Sequence, residues 1–155
     1  MNDDDIGSIT VAGGVAAIRA FFRRLSRCCA TGDFDAAQAL FAPDVVSFGT
    51  KARVVEGLGP LREKQWEQIW PNIEAFEILV DEVRASAEGD LAWGMAPWTS
   101  TGFDATGTSY ERPGRATAVL ARREGTWLCV HTHFSLAPGT PQQSYARVHD
   151  RAKRT

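Results

Sequence analysis

The chain has 155 residues, 44% apolar and 23% charged, a composition that fits one globular domain and excludes an intrinsically disordered chain. Seventeen basic residues against nineteen acidic give a formal net charge of −2, which argues against a surface built to grip nucleic acid, where a basic excess is the rule. At this length folding buries roughly two thirds of the unfolded surface, so neither disulfides nor a structural metal are required.

Residues 1–12 open on Asp3-Asp4-Asp5 and carry no apolar period, which predicts a flexible N-terminal arm without the basic start of a secretory leader. From Gly13 to Thr31 the apolar set Val15, Ile18, Phe22, Leu25 and Cys29 steps by three and four, predicting a helix with one buried face. Gly32 suits the position just past a helix end, because it accepts positive φ without a Cβ clash. Asp33 then caps a short second helix, Phe34 to Phe41, with Pro43 as its stop. Asp44 to Gly49 reads as a strand. Val54-Val55-Glu56-Gly57 leads into a third helix, Leu61 to Trp70, with Pro60 at its first position and Pro71 beyond its end.

After Pro71 the period becomes strand-like. Phe76 to Ala87 and Leu91 to Thr101 are predicted strands around the turn Glu88-Gly89-Asp90, and Pro97 demands an edge or a bulge. Gly102 to Pro113 reads as a long loop. Arg115 to Arg123 and Trp127 to Ser135 form a hairpin about Glu124-Gly125. Helices followed by strands indicate an α+β fold. The expected form is a curved antiparallel sheet with three N-terminal helices on its concave side, a cone whose mouth offers a ligand cavity. One domain covers residues 13–138, and residues 139–155 form a solvated tail in which Arg147, Arg151, Lys153 and Arg154 outweigh Asp150. The one charge-free stretch long enough to span a bilayer, Gly125 to Ala146, contains Pro138, Gly139 and Pro141, so no membrane partner is expected. Cys28, Cys29 and Cys129 are read as buried thiols in a reducing, cytoplasmic setting.

His131 and His133 stand two apart on a strand and so share a face, with Trp127, Cys129 and Ser135 on the same parity. Leu128, Val130, Thr132 and Phe134 take the other. If the imidazoles face the cavity, they form a general acid–base pair that titrates near neutral pH. If they face outward, they stabilise a dimer or bind backbone. Asp104, in the long loop, is either a third catalytic group or a turn residue. Phe48, Trp66, Trp70, Trp93, Trp98 and Tyr110 are either plain core or an aromatic box for a hydrophobic or polycyclic small molecule. Arg115 meets an anionic ligand group or sits exposed at a strand end. A His-x-His pair supplies two metal ligands, but the remaining histidine, His149, lies in the tail, so no metal is expected. No phosphate loop, dinucleotide fingerprint or paired-Cys site occurs, and no cofactor is expected.

The element order, Thr31-Gly32-Asp33-Phe34, Val55-Glu56-Gly57, the helix ending in Trp70, and above all Arg122-Arg123-Glu124-Gly125-Thr126-Trp127-Leu128-Cys129-Val130-His131-Thr132-His133-Phe134-Ser135 resemble the SnoaL-like branch of the nuclear-transport-factor-2-like superfamily. The closing run is also similar to the end of the association domain of calcium/calmodulin-dependent protein kinases. The resemblance covers Gly13 to Pro138. It implies a cone-shaped, cystatin-like half-barrel, dimerised through the outer face of the sheet. It also implies either cofactor-free isomerase, cyclase, dehydratase or hydrolase chemistry, or a non-catalytic binding or assembly role. Two departures stand out. The position after the first strand, where ketosteroid-isomerase-like enzymes carry a carboxylate, reads Ser47-Phe48-Gly49. A pocket arginine of the kinase association domains falls at Ala118.

Overall fold

Helix α1, Gly14–Thr31, buries Ile18, Phe22, Leu25 and Cys29 of the predicted face and adds Ala17, Phe21 and Cys28, while Val15, in its first turn, is exposed. The computed structural model describes residues 9, 10 and 13–146. Most of the expected arm, and the tail beyond Ala146 with His149, lie outside the described residues. Ile9 is buried and bridges Trp127, so this part of the expected arm is docked. Gly32 ends α1 at φ +70; its N–H and that of Asp33 take up the carbonyls of Cys29 and Cys28. The Asp33 carboxylate accepts from the Ala36 N–H at 3.0 Å and caps α2, Phe34–Gln38. This helix is shorter than expected. The Leu40 carbonyl is claimed by the N–H of Cys129, and the chain turns into strand β1, Phe41–Phe48, before Pro43 is reached.

The third helical segment begins earlier than expected, with α3 at Leu58–Leu61. It continues as a π turn, Arg62–Trp66, then α4, Glu67–Ile69, and a 3₁₀ turn, Trp70–Asn72. Pro60 is therefore the third helical residue, still among the first four whose N–H has no acceptor within the helix.

Seven further strands complete the sheet. They are β2 (Val55–Glu56), β3 (Glu74–Ile78), β4 (Arg84–Glu88), β5 (Leu91–Phe103), β6 (Ser109–Glu111), β7 (Gly114–Arg123) and β8 (Thr126–Leu136). The order is β2-β1-β8-β7-β5-β3, with β4 and β6 also on β5. The expectation of an antiparallel sheet is corrected at one pair, because β1 runs parallel to β8 and the sheet is mixed. Its register shifts between Phe41 and Val46, and Pro43, which has no N–H to donate, falls in that irregular stretch. The single strand expected over 76–87 is two, parted by a 3₁₀ turn at Val80–Glu82. The expected loop 102–113 is mostly a hairpin of β5 and β6. Pro97 makes neither edge nor bulge. It lies between the last β5 residue paired to β4, Met95, and the first paired to β3, Trp98, where β5 changes neighbours.

Helix α1 lies directly on one face of the sheet. Small residues at Ala92, Gly94, Ala96, Ala116 and Ala118 permit the approach, and a Cβ on Gly94 would come within 2.4 Å of Ile18 Cγ2. Each large side chain buried there contributes roughly 1.5–3 kcal/mol. The three cysteines are buried and unpaired. No helix of the described residues is long and apolar enough to cross a membrane.

Candidate functional site

Between the α3–α4 segment and the sheet lies an aromatic hollow of about 60 Å³. One wall is a ladder of stacked rings. Trp66 lies 5.2 Å from Trp70 with planes 16° apart, and Trp70 lies 5.1 Å from Phe34 at 12°. The four-residue spacing of the two tryptophans sets this ladder up. The facing wall comes from the sheet, where Trp98 and Phe134 stand with Phe76. Phe41 and Leu61 close the floor.

The polar groups in this wall are few. Ser47 and Thr132, on the neighbouring strands β1 and β8, share a buried hydroxyl–hydroxyl bond of 2.8 Å. Gln65, in the π turn, accepts from the Ala52 N–H at 2.9 Å and lies where a side chain at position 49 would be. Gly49 makes that position available to it. Cys29 is buried, and loss of solvation pushes its thiol up, so it stays neutral. Arg112, 3% exposed, lies between β6 and β7 and is held by its backbone: its N–H donates to the Ser100 carbonyl and its carbonyl accepts from Ser100 Oγ. Its guanidinium sits 5.4 Å from the Trp98 ring centroid.

The predicted site residues are divided by this geometry. Trp66, Trp70 and Trp98 line the hollow. Phe48 borders it, but its ring stands edge-on to His131 and His133, at 5.0 and 5.3 Å. Neither imidazole is in the hollow. The register of β7 on β8 skips Val130, so that Val119 pairs His131 while Leu120 pairs Cys129. This one-residue bulge reverses the parity. Trp127 and Cys129 share the inner face with Thr132 and Phe134, and His131 and His133 are turned to the face away from α1. The Cys129 thiol donates to the His131 carbonyl across the bulge, and His131 Nδ1–H donates to the Val46 carbonyl at 2.7 Å.

Trp93 is also on that outer face, 38% exposed, because it alternates with the buried Ala92 and Gly94. Asp104 is an exposed turn residue whose carboxylate accepts from the N–H groups of Thr106 and Thr108 and from the Thr106 hydroxyl. The Thr106 hydroxyl, then the backbone donors, hold its pKa below the usual carboxylate value. Tyr110 covers Gly102 and donates to the Gln143 carbonyl at 3.0 Å. Arg115 is exposed and donates to Ser135 Oγ. Sequence reasoning passed over Arg112, whose loop position carries no period from which burial could be read. Among the described residues, no group of three metal-ligating side chains occurs.

A polar cleft adjoins the hollow, with Thr50, Ile69 and Arg112 common to both. The start of the expected tail is strapped beside it. Gln142 Nε2 donates to the Thr50 carbonyl, Ser144 Oγ donates to the Asn72 carbonyl at 2.7 Å, and the Tyr145 N–H donates to Phe103.

A family model described as a SnoaL-like domain matches residues 18–139. Comparison with curated protein sequences gave no match. Among solved structures, the chain is similar to a candidate dehydratase of the NTF2-like family from Streptomyces avermitilis, at 19% identity over 81% of this chain and 97% of that one, with a TM-score of 0.68. It is similar to a candidate calcium/calmodulin-dependent protein kinase II association domain from Xanthomonas campestris, at 24% identity over 90% and 99%, TM-score 0.67. A protein with a cystatin-like fold from Caulobacter vibrioides is 17% identical over 81% and 91%, TM-score 0.68. At these identities the likeness is one of fold.

Proposed function

We propose that this chain, which belongs to the SnoaL-like domain family, uses its hollow to bind a small, flat, largely apolar molecule. The observation that carries the reading is the wall itself. Stacked indoles face a second aromatic cluster across a gap, with a few fixed polar groups at its edge, the usual make-up of a small-molecule site. We read the domain as a binding module. General acid–base chemistry needs a group that titrates near working pH within reach of the substrate. The described residues lining the hollow include no carboxylate and no imidazole, and the lining thiol of Cys29 is held neutral. The expected roles of His131, His133 and Asp104 as proton carriers therefore have no place in this reading. A dehydratase role like that named for the Streptomyces protein would need a proton acceptor the wall does not offer.

Titration with indole, 2-naphthol and 2-naphthoate should give a saturable change in tryptophan emission and a raised Tm, since a ligand stabilises only as far as it prefers the native state. Trp66→Ala should abolish both responses, and His131→Ala should leave them unchanged. Absence of any response to all three compounds would sink the reading.

A second reading concerns the outer face. In register across β5, β7, β8 and β1, Trp93, Val119, His131 and Val46 form one row, and Met95, Thr117, His133 and Phe48 the next. On these four strands neither row holds an Asp, Glu, Lys or Arg; charge enters at the rims, with Arg84 beside Met95 and Glu56 beside Val46, and Trp93, Met95 and Phe48 are each more than a third exposed. Such a patch marks an association surface. With no fixed charge on these four strands and one charge of each sign at the rims, it can meet its own copy without net repulsion, so we propose a homodimer through this face. Light scattering after gel filtration should give a dimer mass for the native chain and a monomer for Trp93→Lys. A monomeric native chain rules the dimer out.

A further inference from the structure

The polar chemistry at the edge of the hollow is one-sided. Arg112 is a buried guanidinium with no ion pair to a carboxylate among the described residues. Its side-chain contacts are long ones, to Ser100 Oγ at 3.4 Å and Thr50 Oγ1 at 3.3 Å. Among the described residues its Nε–H has no acceptor, and neither has the buried indole N–H of Trp98, another residue of the wall. The nearby thiol of Cys29 is neutral. The adjoining cleft repeats the pattern. Its lining includes Lys51, Asn72 and Gln142 beside Arg112 and, among the described residues, no acidic one. Burying a cation costs free energy unless an anion or good acceptors compensate it, and an orphaned buried donor adds to that cost. The fold bears this cost where the aromatic hollow meets the polar cleft.

We propose that the ligand of the hollow is a small aromatic carboxylate. Its ring lies between the indoles of Trp66 and Trp70 and the Trp98–Phe134 wall, and its carboxylate is received by the Arg112 guanidinium. A guanidinium fork suits this task, because it matches two carboxylate oxygens at once and remains charged when buried. The inference rests on the hollow being a binding site and adds the charge class of what enters it.

The test is calorimetric titration of the full chain with two matched pairs, phenylacetate against phenylacetamide and 2-naphthoate against 2-naphthamide. Each pair keeps the ring and removes the charge. The acid is expected to bind at least about tenfold tighter than its amide, as charge-assisted bonds exceed neutral ones. Arg112→Met should erase that preference while the amides still bind, and Arg112→Lys should keep part of it. Equal affinities within each pair, or an acid preference unchanged in Arg112→Met, would overturn the assignment and leave the hollow a neutral-ligand site. Binding of neither member of either pair by the native chain, together with silence toward indole and 2-naphthol, would remove the binding site itself. If Arg112→Met does not fold, the acid–amide comparison on the native chain decides alone.

Discussion

Trp98→Ala is expected to lower the free energy of unfolding by about 3–5 kcal/mol, the range for truncating a buried tryptophan. The side chain is 2% exposed and stands at the centre of the sheet-side aromatic cluster, 5.5 Å from Phe76 and 6.3 Å from Phe134 between ring centroids. Its removal opens a cavity that β5 cannot close, because β5 is held by β7 on one side and by β4 and β3 on the other. It also takes away the ring over which the Arg112 guanidinium lies. Denaturant unfolding should show the midpoint falling at constant slope. The Tm should fall on the order of 10 °C for a chain of this size. Affinity for aromatic ligands should fall with it, since one wall of the hollow is gone. A loss of stability under about 1 kcal/mol would mean that the cluster does not hold the sheet as described.

Gly114→Ala should be comparably damaging for the opposite reason. A Cβ there would stand 2.1 Å from Trp98 Cζ2 and 2.3 Å from the Ser135 carbonyl oxygen. The indole is locked in the core, and the carbonyl belongs to β8, which cannot retreat without parting from β7. Forced overpacking of this kind costs about 3 kcal/mol or more when backbone must move. Gly59→Ala, in the first turn of α3 with nothing within 4 Å of the added carbon, is the control and should cost little. Because positions 98 and 114 contact each other, the pair Gly114→Ala with Trp98→Phe should lose less than the sum of the two single changes. Strict additivity would show that the indole is not the obstacle.

Much of the fold was legible from residue order. The three-and-four spacing of α1, the glycine past its end, the Asp33 cap and the hairpin about Glu124-Gly125 all rest on local rules of periodicity and φ preference. So did the pair Trp66 and Trp70, four apart on a helical segment and stacked in the structure. The quoted run from Arg122 to Ser135 carried the family. What local rules could not carry was any decision made by a partner strand. Helix α2 stops at Gln38 because β8 captures the next residues, and β1 pairs in parallel because of where β8 lies.

The site turned on the same kind of decision. Counting by twos along β8 holds only for an unbroken strand, and Trp127 to Val130 are apolar on both parities, so the bulge at Val130 left no trace in the pattern. That single skipped residue turns both imidazoles out of the hollow and brings Thr132 and Phe134 into it. Arg112 was hidden for a related reason. It sits between two strands, where no period distinguishes inside from outside, and only the closing of β6 and β7 onto β5 buries its charge. Sequence alone determined the α+β class, helix α1 and its end, the Asp33 cap, the closing hairpin, the family and an aromatic-rich interior. Tertiary pairing, which fixes register across residues far apart in the chain, decided which side chains face that interior and left a guanidinium there in place of two histidines.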